Sequence, residues 1–197
     1  MARPKPDTEK IRHKLLQAAE DMLAETGGRR LVLSEIARRV GLSQSHAHNF
    51  FATKSDLVRA LAERWFAEVE GALDAVQKDQ LDPAEALEAY VLTILRLKRA
   101  RHDADPRLFA AYIDLAGDHG DVIAAHAGRL RDGLREILSR QVPSSHLETA
   151  TDMVMDATVA FRIPHMIALM RPGASDERAR RVVAMCQAAL NGGLPRE

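Results

Sequence analysis

The sequence predicts an all-α fold, with a three-helix domain containing a helix-turn-helix at the N-terminus and a helical bundle after it. Three observations carry this. Aromatic residues make up only 4% of the chain, while the apolar share is 46% and is supplied mainly by Ala and Leu, strong helix formers, whereas strands favour aromatic and β-branched residues. Apolar residues recur at spacings of three and four along nearly the whole chain. No alternating pattern of the strand type persists anywhere, and there is no internal repeat or low-complexity tract.

The first helix is expected from Asp7 or Thr8 as N-cap, carrying Ile11, Leu15, Ala18, Ala19, Met22 and Leu23 on one face, and Gly27-Gly28 ends it. A short helix with Ile36, Ala37 and Val40 follows, then the turn Gly41-Leu42-Ser43, then a second helix from Gln44 to Phe51. Gly41 stands where the chain must turn left-handed, and Ser43 is placed to cap the next helix. Thr53-Lys54-Ser55-Asp56 fits a capping box ahead of Leu57, Val58, Leu61 and Trp65, which opens a linker helix reaching about Lys78. Asp82-Pro83 and Asp105-Pro106 each start a further helix, since proline in a first turn costs no hydrogen bond. Another begins at Gly120 or Asp121, with Ile123, Ala127, Leu130, Leu134 and Leu138 as its stripe. Ser144 or Ser145 caps a long helix to about Met170 that Pro164 should kink, and Ser175 or Asp176 caps the last one. The kink has two readings, a cavity opened beside it or a fit to a partner subunit.

Twenty-eight basic and 28 acidic residues cancel over the 197-residue chain, but not locally. Residues 1–58 hold ten Lys or Arg against seven Asp or Glu, so the remainder holds eighteen against twenty-one, a basic head on an acidic body. A helix-turn-helix reads DNA by laying its second helix in the major groove while the first crosses the backbone. Here the outer face of the second helix offers Gln44, Ser45, His46, His48 and Asn49, with Ser43 at its start, and contains no acid; Ala47, Phe50 and Phe51 point inward. Gln and Asn pair bidentately with adenine, and Ser or His reaches base edges or phosphate. For His46 and His48 plain solvation stands beside that reading. Lys54, Arg38, Arg39 and the basic arm Arg3, Lys5 and Lys10 are the available phosphate partners.

The runs Ile36-Ala37-Arg38-Arg39-Val40-Gly41-Leu42-Ser43 and Phe50-Phe51-Ala52-Thr53-Lys54-Ser55-Asp56-Leu57 resemble the TetR/AcrR family of bacterial regulators, over residues 10–60. The resemblance implies a homodimer whose last two helices pair into a four-helix bundle, a ligand cavity in each body, and an effector that changes the separation of the heads. Lys54 matches the family's lysine facing the phosphate backbone. The chain departs from the pattern at Val32, where a threonine commonly caps and Ser34 is expected to cap instead. It departs also at His48, which replaces a tyrosine, and at Ser45 and His46, which replace glycine and threonine. The division expected is residues 1–52 as DNA-binding domain, with its motif at 32–51, and residues 53–197 as effector-binding and dimerisation domain.

Phe109, Tyr112, Met153, Phe161 and Met166 lie on helices that face an interior, and they are candidates to line an apolar pocket; ordinary core packing is the competing reading. The implied partners are a double-stranded DNA operator, a small apolar or weakly polar effector and a second copy of the chain. The alternative is an architectural DNA-binding protein without an effector. No cofactor is expected. His119 and His126, seven apart with Asp118 and Asp121 nearby, lack a compact ligand cluster and are taken as solvated rather than as a metal site. The chain lacks G-x-S-x-G, G-x-G-x-x-G, a Walker A loop and H-E-x-x-H, and Cys186 falls mid-helix without an activating partner, so no catalysis is expected. The opening MARPKPDTEK has no apolar signal-peptide core, and Ala157 to Met170 is too short and too interrupted to span a bilayer. A cytoplasmic, nucleoid-associated protein is expected.

Overall fold

In a computed structural model, which describes residues 6–28, 30–79 and 81–192, the chain is helical with no strand among the described residues. Among the described residues eleven α-helices follow in order: α1 Pro6–Thr26, α2 Leu33–Arg39, α3 Gln44–His48, α4 Lys54–Lys78, α5 Pro83–Ala104, α6 Pro106–Gly117, α7 Gly120–Leu138, α8 Leu147–Ala157, α9 Val159–Arg162, α10 Pro164–Leu169 and α11 Asp176–Gly192. Arg3 and Lys5 lie outside the described residues.

The chain divides into two compact units. One comprises Met1–Trp65 and Asp105–Val122, the other Phe66–Ala104 and Ile123–Glu197. In the first, α1 packs on α2 and α6, and α2 on α3. Leu15, Ala19, Leu23, Ile36, Ala37 and Ala47 are all fully withdrawn from solvent there. In the second, α5 lies against α9, α10 and α11, and α8 against α9 and α11, around a core that includes Leu87, Leu95, Leu138, Val154, Phe161 and Val183.

Local chemistry fixes most boundaries. α1 starts at Pro6, ahead of the expected cap, because proline is tolerated in a first turn and leaves Asp7 there beside the positive end of the helix dipole. It closes with Gly27 at φ +59°, the Gly27 N–H donating to Ala24 O at 3.3 Å and the Gly28 N–H to Leu23 O at 2.8 Å, a Schellman ending. Asp82 Oδ1 accepts from the N–H groups of Ala84 and Glu85, and Asp105 Oδ1 from those of Arg107 and Leu108. Ser175, not Asp176, caps the last helix, accepting from Arg178 N–H at 3.2 Å.

Three local expectations give way. Val32 occupies the N-cap of α2 with no side-chain bond, and Ser34 lies inside the helix, so a first-turn N–H goes without the usual oxygen. Neither Ser144 nor Ser145 caps: both enter a 3-10 turn, Ser144–His146, that feeds α8. The long helix expected to Met170 is three short ones. Pro164 lacks an N–H and holds Ile163 extended at φ −82°, ψ 123°. One turn earlier Thr158 donates its hydroxyl to Val154 O at 2.7 Å, a back-bond that bends helices, and its own backbone leaves the helical region at ψ 7°.

Candidate nucleic-acid interface

The turn between α2 and α3 is made by Gly41 at φ +74°. Its N–H donates to Arg38 O, and the Leu42 N–H donates to Ala37 O at 2.9 Å. A side chain with a Cβ is strained in that conformation. Ser43 then reverses the chain into α3, its Oγ accepting from His46 N–H at 3.2 Å. α3 ends at His48, earlier than the expected Phe51: the N–H groups of Asn49 and Phe50 bond three residues back, to His46 O and Ala47 O, and the helix tightens out. Phe51 still turns inward and is buried, whereas Phe50 is only half-buried.

Ser43, Gln44, Ser45, His46, His48 and Asn49 are all exposed, while Ala47 between them has no exposed surface at all. One helix therefore presents a continuous polar face, anchored from behind by a methyl group. Two of its side chains are held in place. The His46 ring stacks on Phe50 at 5.7 Å between centroids. His48 Nδ1 lies 3.2 Å from Ala52 O; since a carbonyl only accepts, Nδ1 carries the proton there. That leaves Nε2 to accept from the Gln44 amide nitrogen, 3.5 Å away. Gln44 thus lies in a set orientation before any base edge is met.

Lys54, exposed, is the first residue of α4. The helix start is fixed by a reciprocal pair: Thr53 N–H and Oγ1–H donate to Asp56 Oδ2 at 2.8 and 2.9 Å, and Asp56 N–H donates to Thr53 Oγ1 at 3.1 Å. Arg38 and Lys10 are exposed as well. Arg39 is committed elsewhere, bidentate to Glu25 at 2.8 and 2.6 Å.

Of the five candidate pocket residues, two fall in the first unit and three in the second. Phe109 and Tyr112 belong to the first unit and pack on Trp65, Phe109 edge-on at 5.7 Å and Tyr112 stacked at 5.3 Å, with the Tyr112 hydroxyl donating to Glu20 at 2.6 Å. Met153, Phe161 and Met166 belong to the second unit, where Phe161 is buried and the two methionines are half-buried. His119 and His126, taken as solvated, are buried. His126 stacks face to face on Phe66 with centroids 4.0 Å apart and donates from Nδ1 to Glu70 at 2.6 Å. Burial, with the nearby Lys98 charge second, pushes its pKa down to about 4. No cluster of three or more metal-ligating side chains exists among the described residues.

Two polar groups of the second unit stand out that the sequence analysis passes over. Lys98 is 2% exposed, and it falls on the same helical stripe as Val91, Ile94 and Leu95, the signal that marks it as inward-facing. Arg162 ends α9 and is half-buried. No described helix is long and apolar enough to cross a membrane.

Residues 15–61 match the family described as bacterial regulatory proteins, tetR family, and residues 83–183, just over half of the chain, match the tetracyclin repressor-like C-terminal domain. The HTH-type transcriptional regulator BetI of Rhizobium meliloti is 26% identical over 148 residues, 74% of this chain and 73% of that protein. Among solved structures, a transcriptional regulator from Rhodococcus sp. Rha1 superposes with a TM-score of 0.66 at 21% identity, covering 93% of this chain and 99% of that one. The complex of SmeT with triclosan superposes at 0.64 and 18% identity, covering 90% of each chain; SmeT is the repressor of a multidrug efflux pump of Stenotrophomonas maltophilia. At these identities the structural likenesses carry the fold, and the family rests on the two matched segments, which include the turn at Gly41 and the capped start of α4. The chain belongs to the tetR family of bacterial transcription regulators, DNA-binding proteins of the helix-turn-helix type.

Proposed function

We propose that the protein is an operator-specific repressor that binds double-stranded DNA as a homodimer and leaves it when a small molecule occupies the body. The polar face of α3 carries the first part of this reading: Gln44, Ser45, His46, His48 and Asn49 are exposed together, free of acids, on a helix whose buried side is a single alanine. In this reading Gln44 and Asn49 read base edges, Ser43, Ser45, His46 and His48 complete the contact, and Lys54 and Arg38 hold phosphates. Arg39, bound to Glu25, drops out of the phosphate set. Such a regulator works in the cytoplasm, on the nucleoid.

The dimer is supported by apolar surface left on the last helices, where Met185 is 72% and Leu169 71% exposed and Val159 and Ile163 are more than a third exposed. Two copies pairing these helices bury what one copy leaves in water. The effector is supported by the SmeT–triclosan likeness and by α4, an uninterrupted helix shared between the two compact units.

Selection of duplexes from a random pool tests the core of this. The protein should enrich an inverted repeat whose half-sites lie about 34–36 Å apart, or a multiple of that. Gln44→Ala should relax preference at one base pair of each half-site, by about 1–3 kcal/mol, whereas Lys54→Ala should weaken all duplexes alike and reduce the salt dependence. Enrichment of no sequence would leave an architectural DNA-binding protein instead.

A further inference from the structure

The second unit contains two cations that form no ion pair with a carboxylate among the described residues, though Asp156 acts on Arg162 from a distance and Glu70 on Lys98. Lys98 Nζ, in the interior, donates to the carbonyl of Arg162 at 2.8 Å. Arg162 Nη2 donates to Met155 O at 3.0 Å, and its Nε is buried with no partner among the described residues. Neither side chain enters an ion pair among the described residues. An unpaired charge in the interior is expensive to keep, and the cost is visible in the protons. Burial first, then the charges of Arg162 and Arg101, pulls the Lys98 pKa down to about 7, with Glu70 pulling weakly the other way. Burial lowers that of Arg162 as well.

Arg162, but not Lys98, lines a small cavity together with Tyr90, Met155, Thr158 and a set of apolar side chains. The apolar set is Val91, Ile94, Leu134 and Phe161, and the cavity is about 10 Å³, room for one water. Its outer wall is α9, four residues between the interruption at Thr158 and the extended Ile163 that Pro164 imposes. The two cations hold that wall. Arg162 satisfies a carbonyl in the last turn of α8, and Lys98 satisfies the last carbonyl of α9, both at negative ends of helices. An anion held by the two cations competes with these carbonyls for their N–H groups.

We propose that the second unit binds a small organic acid, its carboxylate paired with Lys98 and Arg162 and its apolar remainder lodged among Val91, Ile94, Leu134 and Phe161 as α9 gives way. This deepens the reading of the protein as a sensor and rests on it for the link to DNA. It replaces the small apolar or weakly polar effector expected from the sequence with an amphipathic anion. A second opening on the same unit, a cleft of about 290 Å³ lined by Glu70, Asp74, Asp132 and Glu136 with Arg129, has the opposite sign. It does not call for a ligand: Asp74, Asp132 and Glu136 face water, and Glu70 is already answered by His126 at 2.6 Å and Arg129 at 2.7 Å. Tyr90 stands in both walls, its hydroxyl donating to Leu130 O at 2.6 Å.

The test uses the full chain and three matched pairs of probes, benzoate and benzamide, phenylacetate and phenylacetamide, hexanoate and hexanamide, first by thermal shift and then by calorimetry. At least one acid should raise Tm and bind at least tenfold more tightly than its amide. Lys98→Gln and Arg162→Gln keep an N–H for the same carbonyls while removing the charge, and each should weaken the acid at least tenfold. Amides that bind as well as their acids, acids that bind both variants as well as the native protein, or no acid bound at all would each overturn the proposal. If tetramethylammonium binds and the acids do not, the acidic cleft is the site and the proposal fails. An acid that binds as described yet leaves operator affinity unchanged upholds the site and refutes the sensor reading. A neutral amide that binds and releases operator does the reverse.

Discussion

His126 donates from Nδ1 to Glu70 while its Nε2 lies in the interior without a partner, so the ring stays in place only while neutral. Glu70 from α4, Lys98 from α5 and Arg129 from its own helix are the charges that face it. With its pKa held near 4 in the folded chain against 6.5 in an unfolded one, the unfolded chain takes up a proton between those values and the folded chain does not. Stability from this residue is complete above pH 6.5, falls as pH drops, and is lost by pH 4, a span of up to about 3 kcal/mol. His126→Gln keeps an N–H for Glu70 without the titration. Urea midpoints measured from pH 4 to pH 6.5 should therefore rise less steeply for the variant than for the native chain. The burial of this histidine was within reach of the sequence, and the phase of α7 hid it. The expected stripe holds at Leu130, Leu134 and Leu138, all buried, but at the start of α7 the buried positions are Val122 and His126, with Ile123 39% exposed. Choosing the larger hydrophobe at one end turned the face by a residue. Lys98 was hidden by its chemistry alone, since its spacing already placed it inside.

At the scale of elements, the glycines and caps were legible because each does something that few residue types can do. Gly27-Gly28, Gly41, Ser43, Thr53, Asp82 and Asp105 all end or begin helices as their types require. Gly28 also carries a contact that no spacing shows. At φ +81°, a Cβ there would come within 2.3 Å of the Ala111 Cβ, so α6 lies against the end of α1 only because that position has no side chain. Gly28→Ala should lower stability by about 2 kcal/mol or more, through the left-handed backbone and the displaced helix together. Thermal unfolding should show the loss, and Gly27→Ala, which meets nothing within 4 Å, should lose less. The breaks after α8 were half legible. Proline announces itself at position 164, but the bend at Thr158 depends on whether a hydroxyl turns back to its own helix, and threonine does so only in some surroundings.

For the whole molecule, compactness and function divide the chain along different lines. The division expected at residue 52 follows the order of motifs in the sequence, whereas the first compact unit also takes in Asp105–Val122, because Phe109 and Tyr112 meet Trp65 and Tyr112 reaches Glu20. A contact between positions some fifty to ninety residues apart leaves no local trace in a single sequence, and so the pocket candidates Phe109 and Tyr112 could not be told apart from Phe161. The paired state is checked on the exposed face of α11: Met185→Glu puts a charge where 72% of a methionine is in water in one copy. Sedimentation at micromolar concentration should show the native chain at twice its mass and the variant at its single mass. In the proposed dimer that pairing matters more because α3 is only five residues long. A helix of that length runs about 7.5 Å, little more than two base-pair steps at about 3.4 Å each. An address of roughly three base pairs per copy, six for a pair, recurs by chance about once in 4,000 positions, against the roughly a million or more competing sites of a genome. On the proposed reading, the letters touched by α3 narrow the search to hundreds of places rather than one, and the rest of the address is written in the distance between the two words and in the stiffness of the DNA that joins them.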